Sequence, residues 1–179
     1  MRRPLDPDRL RQLLHALGEA CRGPGVVYLT GGATALLEGW RIATVDVDLK
    51  LDPEPEGAFA AIARIKEELD VNVELASPDD FLPQLADWRE RSLLVGRFGQ
   101  VEVRHYDLRA QALAKLARGF ERDLGDVRAM LDRKLVSCEA LRSALEQMEP
   151  RLERFPRVSG RELRSRLGDV CPPAKEEPR

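Results

Sequence analysis

Two aspartates spaced two residues apart, Asp46 and Asp48, are the residues here best suited to chemistry. They lie in Val45-Asp46-Val47-Asp48-Leu49-Lys50-Leu51, where apolar and polar residues alternate. A period of two predicts a strand over 45–51 with one buried face. Val45, Val47, Leu49 and Leu51 then face the core, and Asp46, Asp48 and Lys50 face away from it. Two carboxylates on one strand face stand about 7 Å apart at Cα, so their charged ends can converge on one ion or a close pair. Unneutralised at about 4 Å they would repel by roughly 4 kcal/mol at an intermediate dielectric; a divalent cation removes that penalty. Oxygen-only ligation suits Mg²⁺ or Mn²⁺ and not structural zinc. For an isolated Asp-x-Asp the plainer alternative is a solvated polar face on an edge strand.

The residues before this strand add a second feature. Val26 to Leu29 is a short apolar run that reads as a buried strand, Thr30-Gly31-Gly32 breaks it, and Ala33 to Leu37 reads as a short helix. Glycines let a backbone approach a ligand closely, and the free N–H groups of a helix start suit phosphate.

The succession of Leu29-Thr30-Gly31-Gly32, a short helix, and Val45-Asp46-Val47-Asp48-Leu49 resembles the nucleotidyltransferase superfamily of polymerase-beta type. The segment Arg41-x-x-Thr44-x-Asp46-x-Asp48 is similar to small bacterial members related to abortive-infection toxins and to an uncharacterised nucleotidyltransferase family. So are Ala112-Leu113-Ala114-Lys115, Arg122-Asp123-Leu124 and Asp126-Val127. The resemblance implies a transferase that moves an NMP from a nucleoside triphosphate, ATP among them, to a hydroxyl on a protein, a tRNA or a small molecule. It implies that Asp46 and Asp48 hold catalytic Mg²⁺ (or Mn²⁺) and that a third carboxylate completes the site. Glu74 is the first choice, because Val73-Glu74-Leu75 alternates in the same sense; Glu102 comes next and Asp79 third. It implies nucleotide binding by Thr30, Gly31 and Gly32, with Lys115 reaching the β- and γ-phosphates. Kinship with toxins implies a toxin–antitoxin pair and an antitoxin protein as partner. Gly32 stands where many relatives have Ser. That departure supports an alternative, a catalytically inactive module of the same fold that binds nucleotide or a partner.

These residues need a scaffold, and the rest of the chain predicts one. Asp6-Pro7 opens a helix that carries Leu10, Leu13, Leu14 and Leu17 on one face, and Gly23-Pro24-Gly25 stops it. A helix follows over 56–69, a strand over 71–75, and a hairpin of 93–98 with 101–106 about Gly99-Gln100. Beyond Asp107 the pattern is helical: 107–118, 121–133, a helix capped by Ser137 and disturbed at Pro150, and a last one opened by Ser159-Gly160-Arg161-Glu162. The expectation is an α/β (α+β) protein. Residues 1–106 form a small mixed β-sheet nucleotidyltransferase core flanked by helices, 107–170 a C-terminal helical region packed on it, and 171–179 a flexible tail.

Composition bounds the partners. Among 179 residues, 43% are apolar and 34% charged, as in an ordinary globular protein. A net charge of -2 gives no global attraction to nucleic acid, which leaves only local patches such as the arginines between 151 and 166. Asp123 and Asp126 share a helix face and read as structural partners of Lys115, Arg118 or Arg122. His15 and His105 read as structural, and Trp40 and Trp88 as buried. Cys21, Cys138 and Cys171 are far apart and odd in number, which predicts no disulfide framework and a reducing, cytoplasmic setting. The opening residues carry no secretory signal, and no apolar run reaches the roughly 20 residues of a membrane span.

Overall fold

The computed structural model describes residues 3–172. The chain forms two compact units, one of Met1–Asp80 with Asp87–Asp107 and one of Phe81–Ala86 with Leu108–Arg179. The first holds a mixed sheet and its flanking helices; the second is helical, so the fold is mixed α/β with a C-terminal helical region.

In the first unit, helix α1 (Pro7–Ala20) precedes strand β1 (Gly25–Thr30), helix α2 (Gly31–Leu37) and strand β2 (Asp46–Leu51). Helix α3 (Ala58–Glu68), β3 (Asn72–Leu75), a short helix α4 (Trp88–Arg91), β4 (Leu93–Phe98) and β5 (Val101–His105) follow. The five strands lie in the order β3-β2-β1-β5-β4. β1 is antiparallel to β2 and parallel to β5, β2 is parallel to β3, and β4 and β5 are antiparallel. The parallel β2–β3 pair needs a crossover, which α3 supplies; the antiparallel β4–β5 pair needs only the turn at Gly99-Gln100.

The alternation read from sequence decides which sheet face is dry. Val27, Leu29, Val47, Leu49, Val73, Val101 and Val103 are buried together with Leu10, Leu13, Leu14 and Leu17 of α1 and Ala58, Ile62 and Ile65 of α3. Each such aliphatic side chain contributes about 1.5–3 kcal/mol on burial. α1 starts where expected: Asp6 accepts the Arg9 N–H at 2.8 Å, with Pro7 in the first turn. Val45 departs from its expected place. It is 49% exposed, and the strand begins one residue later. Just upstream, a bridge between Leu5 and Thr44 ties the segment entering β2 to the N-terminal strand-like residue (Leu5 N to Thr44 O 2.7 Å, Thr44 N to Leu5 O 2.9 Å).

The second unit holds α5 (Leu108–Arg118), α6 (Glu121–Asp132), α7 (Cys138–Met148) and α8 (Gly160–Val170), with a 3-10 turn over Glu149–Arg154 at Pro150. Ser137 and Ser159 cap α7 and α8, accepting the N–H of Ala140 at 3.1 Å and of Glu162 at 3.2 Å. The expectation of no disulfide is overturned. Cys138 and Cys171 are bonded, with Cα atoms 5.5 Å apart across 33 residues of sequence. Packing of α7 against α8 brings together cysteines that linear spacing separates. Cys21 is a buried free thiol. Because Cys171 is bonded and buried, the expected flexible tail does not begin there; its remaining residues, 173–179, lie outside those described. No helix among the described residues is long and apolar enough to cross a membrane.

Candidate functional site

Sheet register assembles the acidic face. Thr30 is paired with Asp48 and Asp48 with Glu74, so the three form one row across β1, β2 and β3. Asp46 is paired with Asn72 in the next such row. Residues opposite one another in register project from the same side of a sheet. Asp46, Asp48, Asn72 and Glu74 therefore share the face away from Val47 and Leu49, and none of the four is buried.

Asn72 organises this patch. Its Nδ2 donates to Asp46 Oδ1 at 2.7 Å and to Glu74 Oε1 at 2.9 Å. A single neutral amide thus positions two carboxylates without neutralising either. Sequence alternation placed Asn72 beside Glu74 on this face, but nothing in it signalled the bridge. Among the described residues, no three His, Cys, Asp or Glu side chains are arranged to hold one metal ion. Mg²⁺ is commonly held by one or two carboxylates, with water and substrate phosphates supplying the rest. Asp46 and Asp48 fit that donor set; Glu74, bonded to Asn72 through Oε1, has a second carboxylate oxygen to offer beside them.

The glycine turn abuts the same patch. Gly31 has φ +56°, in the left-handed region that glycine enters without penalty. A Cβ at Gly31 would stand 2.9 Å from Asp48 Oδ2, so the backbone turn and this carboxylate are in close approach. A Cβ at Gly32 would collide with Thr44 Oγ1 and would lie 3.5 Å from Arg41 Nη1. The Thr44 hydroxyl donates to Asp46 O at 3.0 Å and so links the turn's neighbour to β2. Thr30 is buried, and its hydroxyl donates to Ala76 O at 3.3 Å, bracing the end of β1 against the chain leaving β3.

The remaining candidates lie apart from this patch or are held by other groups. Glu102 is paired through β5 with Val26, four residues from Thr30 along β1, a separation of roughly 13 Å. Arg104 and Arg97 both bond it, and the Arg104 guanidinium holds its carboxyl below the usual range. Burial raises the Asp79 pKa, but bonds from Lys50 Nζ at 2.8 Å and Ser77 Oγ at 2.5 Å outweigh it and leave the group below its ordinary value. Lys115 belongs to the second unit, where it is buried with Nζ 2.6 Å from Asp126 Oδ2 and 3.7 Å from Asp123 Oδ1. Arg118 completes that cluster with two bonds to Asp123, at 2.7 and 3.1 Å. His105 is buried behind the glycine turn. Its Nε2 lies 3.0 Å from Glu38 Oε1 and its Nδ1 3.1 Å from Thr34 Oγ1. Burial pushes its pKa down, against the pull of Glu38.

The family described as "Nucleotidyltransferase of unknown function (DUF6036)" matches residues 8–167, nearly the whole chain. No curated protein and no solved structure matches it.

Proposed function

Since the chain belongs to this nucleotidyltransferase family, we propose that it transfers an NMP from a nucleoside triphosphate to a hydroxyl acceptor, at the face formed by Asp46, Asp48 and Glu74. The observation that carries the reading is the close approach of the Gly31 backbone to the Asp48 carboxylate, 2.9 Å from the position of a Cβ. A phosphate held at that turn is thereby next to the carboxylates.

Asp46 and Asp48 would hold Mg²⁺ (or Mn²⁺), which supplies charge neutralisation on the phosphates and activation of the attacking hydroxyl. The chain's own residues position the reactants, which with charge neutralisation does most of the work in phosphoryl transfer. Gly31 and Gly32 let the phosphates approach the backbone. Thr30 fixes the strand end from which the turn departs. Asn72 orients Asp46 and keeps Glu74 poised as third carboxylate. The finer parts of the proposal are a polymerase-beta-type ancestry close to abortive-infection proteins, a tRNA or protein acceptor, and a toxin role with an antitoxin partner. The setting proposed is the cytoplasm, where nucleoside triphosphates are abundant.

Incubation with Mg²⁺, each of four α-labelled nucleoside triphosphates and a cell extract containing protein and tRNA tests this. Label on one acceptor class with wild type but not with Asp46→Asn is the expected result. One observation favours a second reading, a module that binds nucleotide without transferring it: Glu74 gives one of its two carboxylate oxygens to Asn72, which leaves it a weaker third ligand. Nucleotide that raises the melting temperature, with no label on any acceptor, is the outcome that would favour it. No label and no stabilisation would end both.

A further inference from the structure

We propose that Arg41 grips the β- and γ-phosphates of the bound nucleotide at the Gly31–Gly32 turn. The inference rests on the nucleotidyl-transfer reading above and names a phosphate ligand for that site.

The loop after α2 folds back on its own helix. The N–H groups of Trp40 and Arg41 both reach Ala35 O, at 3.1 and 3.2 Å. Thr44, anchored to Leu5, closes the same loop. The result sets Arg41 Nη1 3.5 Å from where a Cβ on Gly32 would stand. The guanidinium thus lies against the turn that the triphosphate must approach, and Arg41 is only partly buried, within reach of a ligand. Gly32 also acquires a reason: any side chain there would intrude on Thr44 and on the space beside Arg41.

Charge requires such a group. A nucleoside triphosphate brings about four negative charges to a face that already carries three carboxylates, and metal ions offset only part of that total. α2 spans seven residues; a helix dipole amounts to at most about half a charge at its terminus, so a side-chain cation is needed. Arg41 is the cation set against the glycine turn, and its planar fork matches two phosphate oxygens as an ammonium does not.

The test compares tri-, di- and monophosphates. The nucleotide chosen is the one among four triphosphates that, with Mg²⁺, raises the wild-type melting temperature most. Its Kd and those of its di- and monophosphate are then measured for wild type, R41Q and R41K, with Mn²⁺ alone as a control for the carboxylates. Wild type should favour triphosphate over monophosphate by about tenfold to a hundredfold, the value of charged hydrogen bonds to phosphate. R41Q should lose most of that ratio, R41K part of it, and both should bind Mn²⁺ as wild type does. An unchanged ratio in R41Q overturns the proposal while leaving nucleotidyl transfer intact. A wild type that binds no nucleotide overturns both. A second measurement needs no variant: triphosphate, and not monophosphate, should protect Arg41 of the wild-type protein from phenylglyoxal, as read by peptide mass. Equal labelling of Arg41 with either nucleotide would also refute it.

Discussion

Each unit of the molecule carries two aspartates on one face of one element, and the two pairs are closed in opposite ways. Asp123 and Asp126 stand three apart on α6, both buried, and the protein supplies their counter-charges from Lys115 and Arg118. Asp46 and Asp48 stand two apart on β2, partly exposed, and the group set between Asp46 and Glu74 is the neutral amide of Asn72. Burial explains the difference. A carboxylate removed from water must be paired within the protein or the fold loses several kcal/mol. One left at the surface can wait for a cation from solution. Two sequence motifs of similar look therefore have different work: the helical pair holds the fold, and the strand pair lies where a ligand can reach it.

The largest expected effects test this contrast directly. Asp46→Asn or Asp48→Asn should reduce transfer by about 10³-fold or more, at the upper end of what losing one charge-stabilising group costs. The melting temperature should stay nearly level, because both side chains are only partly buried. Asp126→Asn should do the reverse. It leaves Lys115 buried beside a neutral amide, at a cost of about 3–5 kcal/mol, or roughly 6–20 °C in Tm for a chain of this size. If the strand variants melt early and the helical variant does not, the assignment of roles is reversed.

A double replacement sharpens the helical half. Lys115→Met with Asp126→Leu removes both charges together and should restore most of the stability lost by Asp126→Asn, since a buried pair is often replaceable by apolar groups. Urea unfolding measures it. If that double variant folds but no longer distinguishes triphosphate from monophosphate, Lys115 belongs with the nucleotide as well as with the fold. Glu74→Gln sharpens the strand half. It should cost as much activity as either aspartate, and an unaffected rate would leave Asp46 and Asp48 as the whole metal site.

How far sequence reached into this contrast depends on the range of the interaction concerned. Alternation in 45–51 and 71–75 was enough to place Asp46, Asp48, Asn72 and Glu74 on polar strand faces, because side-chain direction in a strand is local. Capping by Asp6, Ser137 and Ser159 was legible for the same reason. Pairings between elements were not. Asn72 reaches Asp46 only because β2 and β3 are parallel in this register, and Cys138 reaches Cys171 only because α7 and α8 pack together. Glu102 is an intermediate case. Its neighbour Arg104, two residues on, shares its strand face and could have been seen to claim it, whereas the hairpin partner Arg97 required the fold.

The smallest effect expected lies behind the glycine turn and concerns pH. His105 is 3% exposed, and the two influences on it disagree: burial lowers its pKa, while Glu38 raises it. Burial is the larger influence, so the ring is neutral in the folded protein at pH 7. A folded pKa below the unfolded value of about 6.5 means that the unfolded chain takes up protons first as pH falls. Stability due to this group is therefore intact above pH 6.5 and declines as pH drops from there toward the folded pKa. Asp79 and Glu102 also have lowered folded values. As carboxylates, they hold their contribution above about pH 4–4.5 and lose it below. Two windows of acid destabilisation should then appear in Tm between pH 8 and 3, the first belonging to His105. His105→Gln should flatten the first and leave the second unchanged. A wild-type Tm that instead rises between pH 7 and 6 would mean that Glu38 prevails and that the ring is charged. The turn would then have a fixed positive charge behind it, and the case for Arg41 as the cation it requires would weaken accordingly.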